Sequence, residues 1–163
     1  YTIRDVPDTQ GVAATVFGAL ADANISVDMI IQNISEDGHA DISFTSPKAD
    51  IERTKEVLRE IVEVTGAAEY IVAEDIAKVS IVGAGMKASP GVAAKMFRTL
   101  ADAGINLSLI TTSDIRTSVV ISGEQGPEAV RVLHNAFGLD GDDVFEETQL
   151  SAEELAAKMA KGR

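Results

Sequence analysis

Apolar positions fall in two rhythms along this chain, and the rhythms alternate. Thr2 to Val6 is a short alternating run and reads as a strand. After Gly11, the residues Val12, Val16, Phe17 and Leu20 recur at the spacing of one helix face. Asn24 follows where a left-handed residue closes a helix. Ile25 to Ile34 is rich in Ile and Val and reads as a strand; Asp37-Gly38 marks a turn, and Ala40 to Thr45 returns as a strand stopped by Pro47. Asp50 then caps a helix whose apolar face is Ile51, Val57, Leu58, Ile61 and Val62. Gly66 ends that helix, and Tyr70 to Ala73 is a last short strand.

The second half repeats this order. Lys78 to Gly83 reads as strand, Pro90 to Ala103 as helix with Gly104 as its cap, Ile105 to Thr111 and Arg116 to Ser122 as strands, Pro127 to Phe137 as helix, and Asp143 to Glu146 as a final strand. The repetition extends to residue identity. Gly11 to Ile25 and Gly91 to Ile105 align without a gap at an offset of 80, with ten of fifteen positions identical. The order βαββαβ, twice, predicts an α+β fold of two ferredoxin-like units, each with both helices on one face of its sheet. The expected domains are 1–75 and 76–148. A tail, 149–163, carries a capping box (Ser151 with Glu154) and is expected as a short helix or disordered segment. The final strands are short enough for each unit to borrow one from the other.

Composition narrows the function. The 163 residues carry 14 basic and 26 acidic side chains, a formal charge of −12. That balance speaks against nucleic acid and against anionic membrane surfaces as partners. At 45% hydrophobic and 25% charged residues the chain can bury a core. It has no cysteine, which excludes disulfides and thiolate metal sites, and no apolar run near the ~18 residues of a membrane span. Two histidines, His39 and His134, and no Trp leave thin resources for catalysis, so neither a catalytic residue nor a metal ligand is assigned. The chain begins at Tyr1 without Met and is expected to be a piece of something longer.

Few motifs carry chemistry. Val82 to Ala88 matches G-x-G-x-x-A between a strand and a helix, the dinucleotide fingerprint. The equivalent loop of the first half lacks those glycines, and the acid expected on a ribose is at best Asp114, so the motif reads as a glycine-shaped turn; a nucleotide-binding fragment is the far alternative. A feature common to both halves is more informative. A strand runs into a Gly-containing loop that opens a helix, and a helix start offers amide donors and the positive end of the dipole to a carboxylate. A free amino acid also needs an acceptor for its ammonium, which Asp8 can provide. The counterpart of Asp8 at the offset of 80 is Ala88, so the two loops are expected to differ in affinity or ligand. His39 reads as a solvated turn residue and His134 as a helix-surface residue. The acidic cluster Asp140, Asp142, Asp143, Glu146 and Glu147 lacks calcium-loop spacing and reads as a solvated face. Thr111-Thr112-Ser113 is a hydroxyl cluster at a strand end.

The stretch from Val6 through Gly11 to Ile25–Ser35 resembles the first ACT domain of aspartate kinases. Lys78 to Lys87 and Ile110 to Ile121 are similar to the second ACT domain of the same enzymes, and the resemblance spans roughly 2–147. The likeness is strongest to the regulatory region, or separate β subunit, of bacterial aspartate kinases inhibited jointly by threonine and lysine. It implies ACT domains pairing side by side in a homodimer, with effectors at the interface. A threonine-type site would use Asp8, Gly11, Val12, Ala13 and Gln32, completed by Asn106 and Leu107 of a second unit from the partner chain. Ser35 and Thr45, and Ser113 and Asp114, fall at feedback-sensitive positions. Gln10 stands where the family has Pro. Pseudo-symmetry adds a second pocket from Met86, Lys87, Gly91, Thr112 and Ser113 with Ser26 and Val27. With Ala88 in place of Asp8 it should hold an ammonium poorly, so lysine would need Asp28, Asp114 or a carboxylate of the catalytic domain. The resemblance places ATP, Mg and the chemistry on an absent kinase domain or α subunit, leaves this chain without a cofactor, and implies a cytoplasmic protein. The near alternative is the valine-sensing small subunit of acetolactate synthase.

Overall fold

The computed structural model describes residues 1–35, 38–84, 86 and 91–139. It divides into two compact units, one of Tyr1–Ile76 with Ile110–Ser113, the other of Ala77–Leu109 and the chain from Asp114 onward. The first unit contains β1 (Thr2–Pro7), α1 (Val12–Asp22), β2 (Ile30–Ile34), β3 (His39–Phe44), α2 (Ile51–Thr65) and β4 (Glu69–Ile71). Its sheet runs β2-β3-β1-β4, with all three pairings antiparallel. The second part contributes β5 (Ile76–Val82), α3 (Val92–Asp102), β6 (Leu109–Thr112), β7 (Arg116–Ser122) and α4 (Gly126–Ala136), with a sheet ordered β5-β7-β6. The α+β reading and the repeated element order hold, up to the final strand. The strand expected at Asp143–Glu146, the acidic cluster and the tail lie outside the described residues, as does Asp37 of the predicted turn.

Each unit closes its own core. In the first, Ile3 and Val6 of β1, Ile42 and Phe44 of β3, Val16 and Leu20 of α1, and Leu58 and Ile61 of α2 are buried together. Phe44 stacks on Tyr1 with ring centroids 5.1 Å apart and meets Phe17 edge-on at 6.0 Å. In the second, Val79, Met96, Leu100, Val119, Ile121, Ala129 and Leu133 play the same parts. The duplication is visible atom by atom. The Thr2 hydroxyl meets the Ser43 hydroxyl at 2.9 Å across β1 and β3, and Ser80 meets Ser118 at 2.8 Å across β5 and β7. Asn24 and Gly104 end the first helix of each half in the left-handed region, at φ 53° and 72°.

Several boundaries differ from the sequence pattern. The Ile-rich run predicted as a strand over Ile25–Ile34 pairs only from Ile30. Upstream, Ile25 and Met29 are buried, the Asp28 amide donates to the Thr45 carbonyl at 3.1 Å and the Met29 amide to the Thr45 hydroxyl at 3.1 Å. The apolar residues there fill the core from a connection instead of lining a strand. The run from Ile105 likewise becomes strand only at Leu109, with Ile105 buried and the Ser108 amide donating to the Val120 carbonyl at 2.8 Å. The helix expected from Pro90 begins at Val92, after Gly91 at φ 103°. The last strand of the first unit is Glu69–Ile71, two residues short of Ala73. Asp50 precedes α2 without a side-chain cap; its carboxylate accepts from Arg53 at 2.5 Å instead.

Because Phe44 is fully buried at the meeting of sheet, α1 and Tyr1, Phe44→Ala is expected to lower the stability of the first unit by about 3–5 kcal/mol. Urea unfolding followed by circular dichroism measures this; a loss under about 1 kcal/mol would contradict the packing described.

Candidate functional site

The loop from Asp8 to Gly11 hangs between the end of β1 and the start of α1. Its first residue extends the sheet, because the Asp8 amide donates to the Gly38 carbonyl at 2.9 Å. The Thr9 carbonyl accepts from the Val12 amide at 3.3 Å and the Gly11 carbonyl from the Thr15 amide at 3.0 Å. Gly11 itself turns the chain into the helix at φ 97°. No side chain caps this helix start, so the first-turn amides that follow Val12 are available to an anion.

Beneath the loop is a cavity of about 90 Å³ lined by Val6, Pro7, Asp8, Thr9, Gly11, Val12, Ala13, Gln32, Ala40 and Ile42. Asp8, Gly11, Val12, Ala13 and Gln32, singled out in the sequence for one site, therefore share one wall system. Gln32 reaches it from β2, where it is paired with Ile42. Asn106 and Leu107 lie in the second unit, after α3: Asn106 is exposed, and Leu107 packs on that unit's core.

The second proposed pocket is not assembled within one unit. Ser26, Val27 and Asp28 lie in the connection after α1, with Val27 packed on the first core. Gly91 starts α3, and Thr112, Ser113 and Asp114 lie at the β6–β7 turn. Lys87 and Ala88 fall outside the described residues, and so do Gly85, Ser89 and Pro90. Gly83 of the dinucleotide-like motif is engaged by the sheet, its amide donating to the Ile115 carbonyl at 3.0 Å. Of the positions expected to be feedback-sensitive, Ser35 donates its amide to the His39 carbonyl at 2.8 Å, whereas Thr45 is buried and ties Met29 to the end of β3. Among the described residues no group of acidic and histidine side chains is arranged to hold a metal ion, and no helix is long and apolar enough to cross a membrane.

Sequence spacing missed a larger cavity of about 450 Å³ in the second unit, which brings Met86 of the second proposed pocket against Val79, Ile81, Val130, Leu133 and Phe137, with His134 on its wall. Its lining comes from β5, the following residues, Val92 of α3, one face of α4 and the chain just after it. The only advance signal was the apolar stripe of α4, which reads equally as core.

Comparison with known proteins bears on this arrangement. Family models described as ACT domains match residues 1–66 and 79–137. A structure of aspartokinase alpha and beta subunits superposes with a TM-score of 0.77 at 50% identity, covering 84% of this chain and 90% of that one. The chain belongs to the aspartokinase family, as its tandem ACT regulatory part. The ligand-free regulatory subunit of Thermus thermophilus aspartate kinase matches with a TM-score of 0.77 at 42% identity, covering 83% of this chain and 89% of that one. Among curated relatives, the aspartokinase of Mycolicibacterium smegmatis is 46% identical over 144 residues, 87% of this chain and 34% of the relative. This aspartokinase chain thus spans about a third of the length of such relatives. The acetolactate synthase alternative and the nucleotide-binding fragment yield to this assignment.

A methyl group added at Gly11 would meet nothing within 4 Å, yet the φ of 97° is one that side chains disfavour. Gly11→Ala is therefore expected to cost about 1–2 kcal/mol through backbone strain alone. Thermal unfolding tests this; an unchanged midpoint would show that the helix start can relax.

Proposed function

We propose that this chain is the amino-acid-sensing module of an aspartate kinase, taking threonine at the loop–helix cavity and acting jointly with lysine in feedback inhibition. The observation that carries the reading is the convergence of Asp8, Gly11, Val12, Ala13 and Gln32 on a single small cavity. The first-turn amides of α1 would receive the effector's carboxylate, Asp8 its ammonium, and Gln32 its side chain. At about 90 Å³ the cavity is well under the roughly 300 Å³ at which pockets for larger ligands begin, so it suits part of a small amino acid, with the rest of the site coming from another surface.

That other surface is the second unit of a partner chain, bringing Asn106 and Leu107. Two features support it. β2 is an edge strand of its sheet among the described residues, and Ile30 and Ile34, which flank Gln32, are 51% and 61% exposed. Exposed isoleucines on an open edge favour being covered. A ligand held between two chains binds the paired arrangement better than the separated one, and that difference is what allows it to shift an equilibrium. Inhibition follows when the favoured arrangement holds a catalytic domain or α subunit in its low-affinity state; ATP and Mg are handled there, in the cytoplasm. Lysine, as joint effector, would draw its second carboxylate from Asp28, Asp114 or the catalytic domain.

Isothermal titration with threonine tests the assignment. The chain is expected to bind, and Asp8→Ala to raise the dissociation constant by tenfold or more, since a hydrogen bond to a charged group is worth about 1.5–3 kcal/mol. Unchanged affinity in Asp8→Ala sinks the role of Asp8. Solution mass by analytical ultracentrifugation should report a dimer that threonine strengthens; a monomer indifferent to threonine contradicts the bridging mechanism.

A further inference from the structure

The alternation of β1 is broken once, and the break decides where Asp8 points. Thr2 and Ile3 pair with Ser43 and Ile42, but Val6 and Pro7 pair with Ala40 and His39, so one extra residue is accommodated between Ile3 and Val6. In an unbroken strand Ile3, Asp5 and Pro7 would face the helices, and Val6 and Asp8 the opposite side. With the extra residue, Ile3 and Val6 are both fully buried in the helix-covered core. The parity carried forward puts Asp8 on the face of Ala40, Ile42 and Gln32, the other walls of the cavity.

A bulge leaves an amide without its ladder partner. Here the Asp5 amide is met by the Asp41 carboxylate, Oδ1 at 2.9 Å. Asp5 itself adopts φ 54°, a left-handed conformation uncommon outside glycine. His39 Nδ1 lies 3.9 Å from Asp5 Oδ1 on the adjoining strand. The duplicated unit shows what replaces this device. The matching hydroxyl pairs Thr2–Ser43 and Ser80–Ser118 align Asp5 with Gly83 and Asp41 with Arg116. At Gly83 the amide is met by a main-chain carbonyl, that of Ile115. The side-chain acceptor at the bulge belongs to the unit that carries Asp8.

We propose that Asp41 is a positioning residue for the effector loop: its carboxylate holds the β1 bulge, and the bulge aims Asp8 into the cavity. The proposal rests on the reading of that cavity as a threonine site. Its test compares three chains by threonine titration and by amide hydrogen exchange resolved at Asp5. Asp41→Ala is expected to weaken threonine by about five- to tenfold and to speed exchange at the Asp5 amide. Asp41→Asn, which keeps an acceptor but not the charge, is expected to stay within about threefold of wild type in affinity and to keep the amide protected. Should Asp41→Ala fold poorly, Asp41→Val, a strand former without an acceptor, replaces it in the same comparison. Wild-type affinity in the acceptor-free variant overturns the proposal, and so does an Asn variant as weak as the Ala variant. If the wild-type chain takes up no threonine, the effector reading fails by itself; unaltered Asp5 exchange in Asp41→Ala would then overturn the bulge device independently.

Discussion

Side chains alternate across a strand, and a sheet covered by helices on one face turns that alternation into a sorting rule. Ala40, Ile42 and Phe44 of β3 go inward, and His39, Asp41 and Ser43 go outward. The rule fixes the core of the first unit, but it also fixes the polar residues at its rim. Gln32 reaches the cavity because it lies opposite Ile42, and Asp8 reaches it because the parity of β1 changes before the loop begins. Core and site are thus settled by the same constraint, and a one-residue error in register would empty both.

Duplication supplies the scaffold twice, but Asp8 of the first loop has Ala88 as its counterpart in the second. The helix starts at Gly11 and Gly91 have nearly the same geometry, φ 97° and 103°. The hydroxyl pairs that lock the central strands together are likewise repeated. The strand-to-helix connections have diverged: four residues separate β1 from α1, from Asp8 to Gly11, whereas nine separate β5 from α3, from Gly83 to Gly91. An offset of 80 holds for the helices, but the hydroxyl pairs place β5 at an offset of 78 from β1. The second connection is longer by two residues relative to its strand. A connection altered in length shifts which residues precede the helix start, a physical reason to expect the two halves to differ in what they bind.

Much of this was legible in the residues. Periodicity marked the helices and the βαββαβ order, because an amphipathic helix buries one stripe whatever its neighbours do. The repeat marked the units and, with Ala88 as its counterpart, singled out Asp8; Gln32 was reached through resemblance to a family. What escaped was tertiary in origin. Ile25 and Met29 look like strand residues, and only the bonds to Thr45 show that they enter the core from a connection. Asp50 looks like a helix cap, yet Arg53 takes its carboxylate. The bulge in Thr2–Pro7 is invisible as well, since Arg4 and Asp5 have no composition that announces an extra residue; Asp41, which supports it, lies 36 positions away.

On the proposed reading, the sensing site is only half built within one chain, and that would have a consequence for how it signals. A complete pocket would bind its ligand in any arrangement of subunits and so bias none of them. The cavity at Asp8 offers a carboxylate acceptor, uncapped amides and one amide side chain, in a volume of about 90 Å³. Beside it runs a sheet edge whose isoleucines face solvent. Such a half-site gains most of its affinity when a second surface closes over it, so that ligand affinity and subunit contact become one quantity. The coupling free energy is then limited by how firmly Asp8 and Gln32 are held before closure, because a loop that must first be ordered spends the difference on itself. A bulge pinned by a carboxylate and a helix opened by a left-handed glycine are means of fixing that loop in advance, and the pinned bulge stands in the unit that carries Asp8, the proposed acceptor for an effector's ammonium.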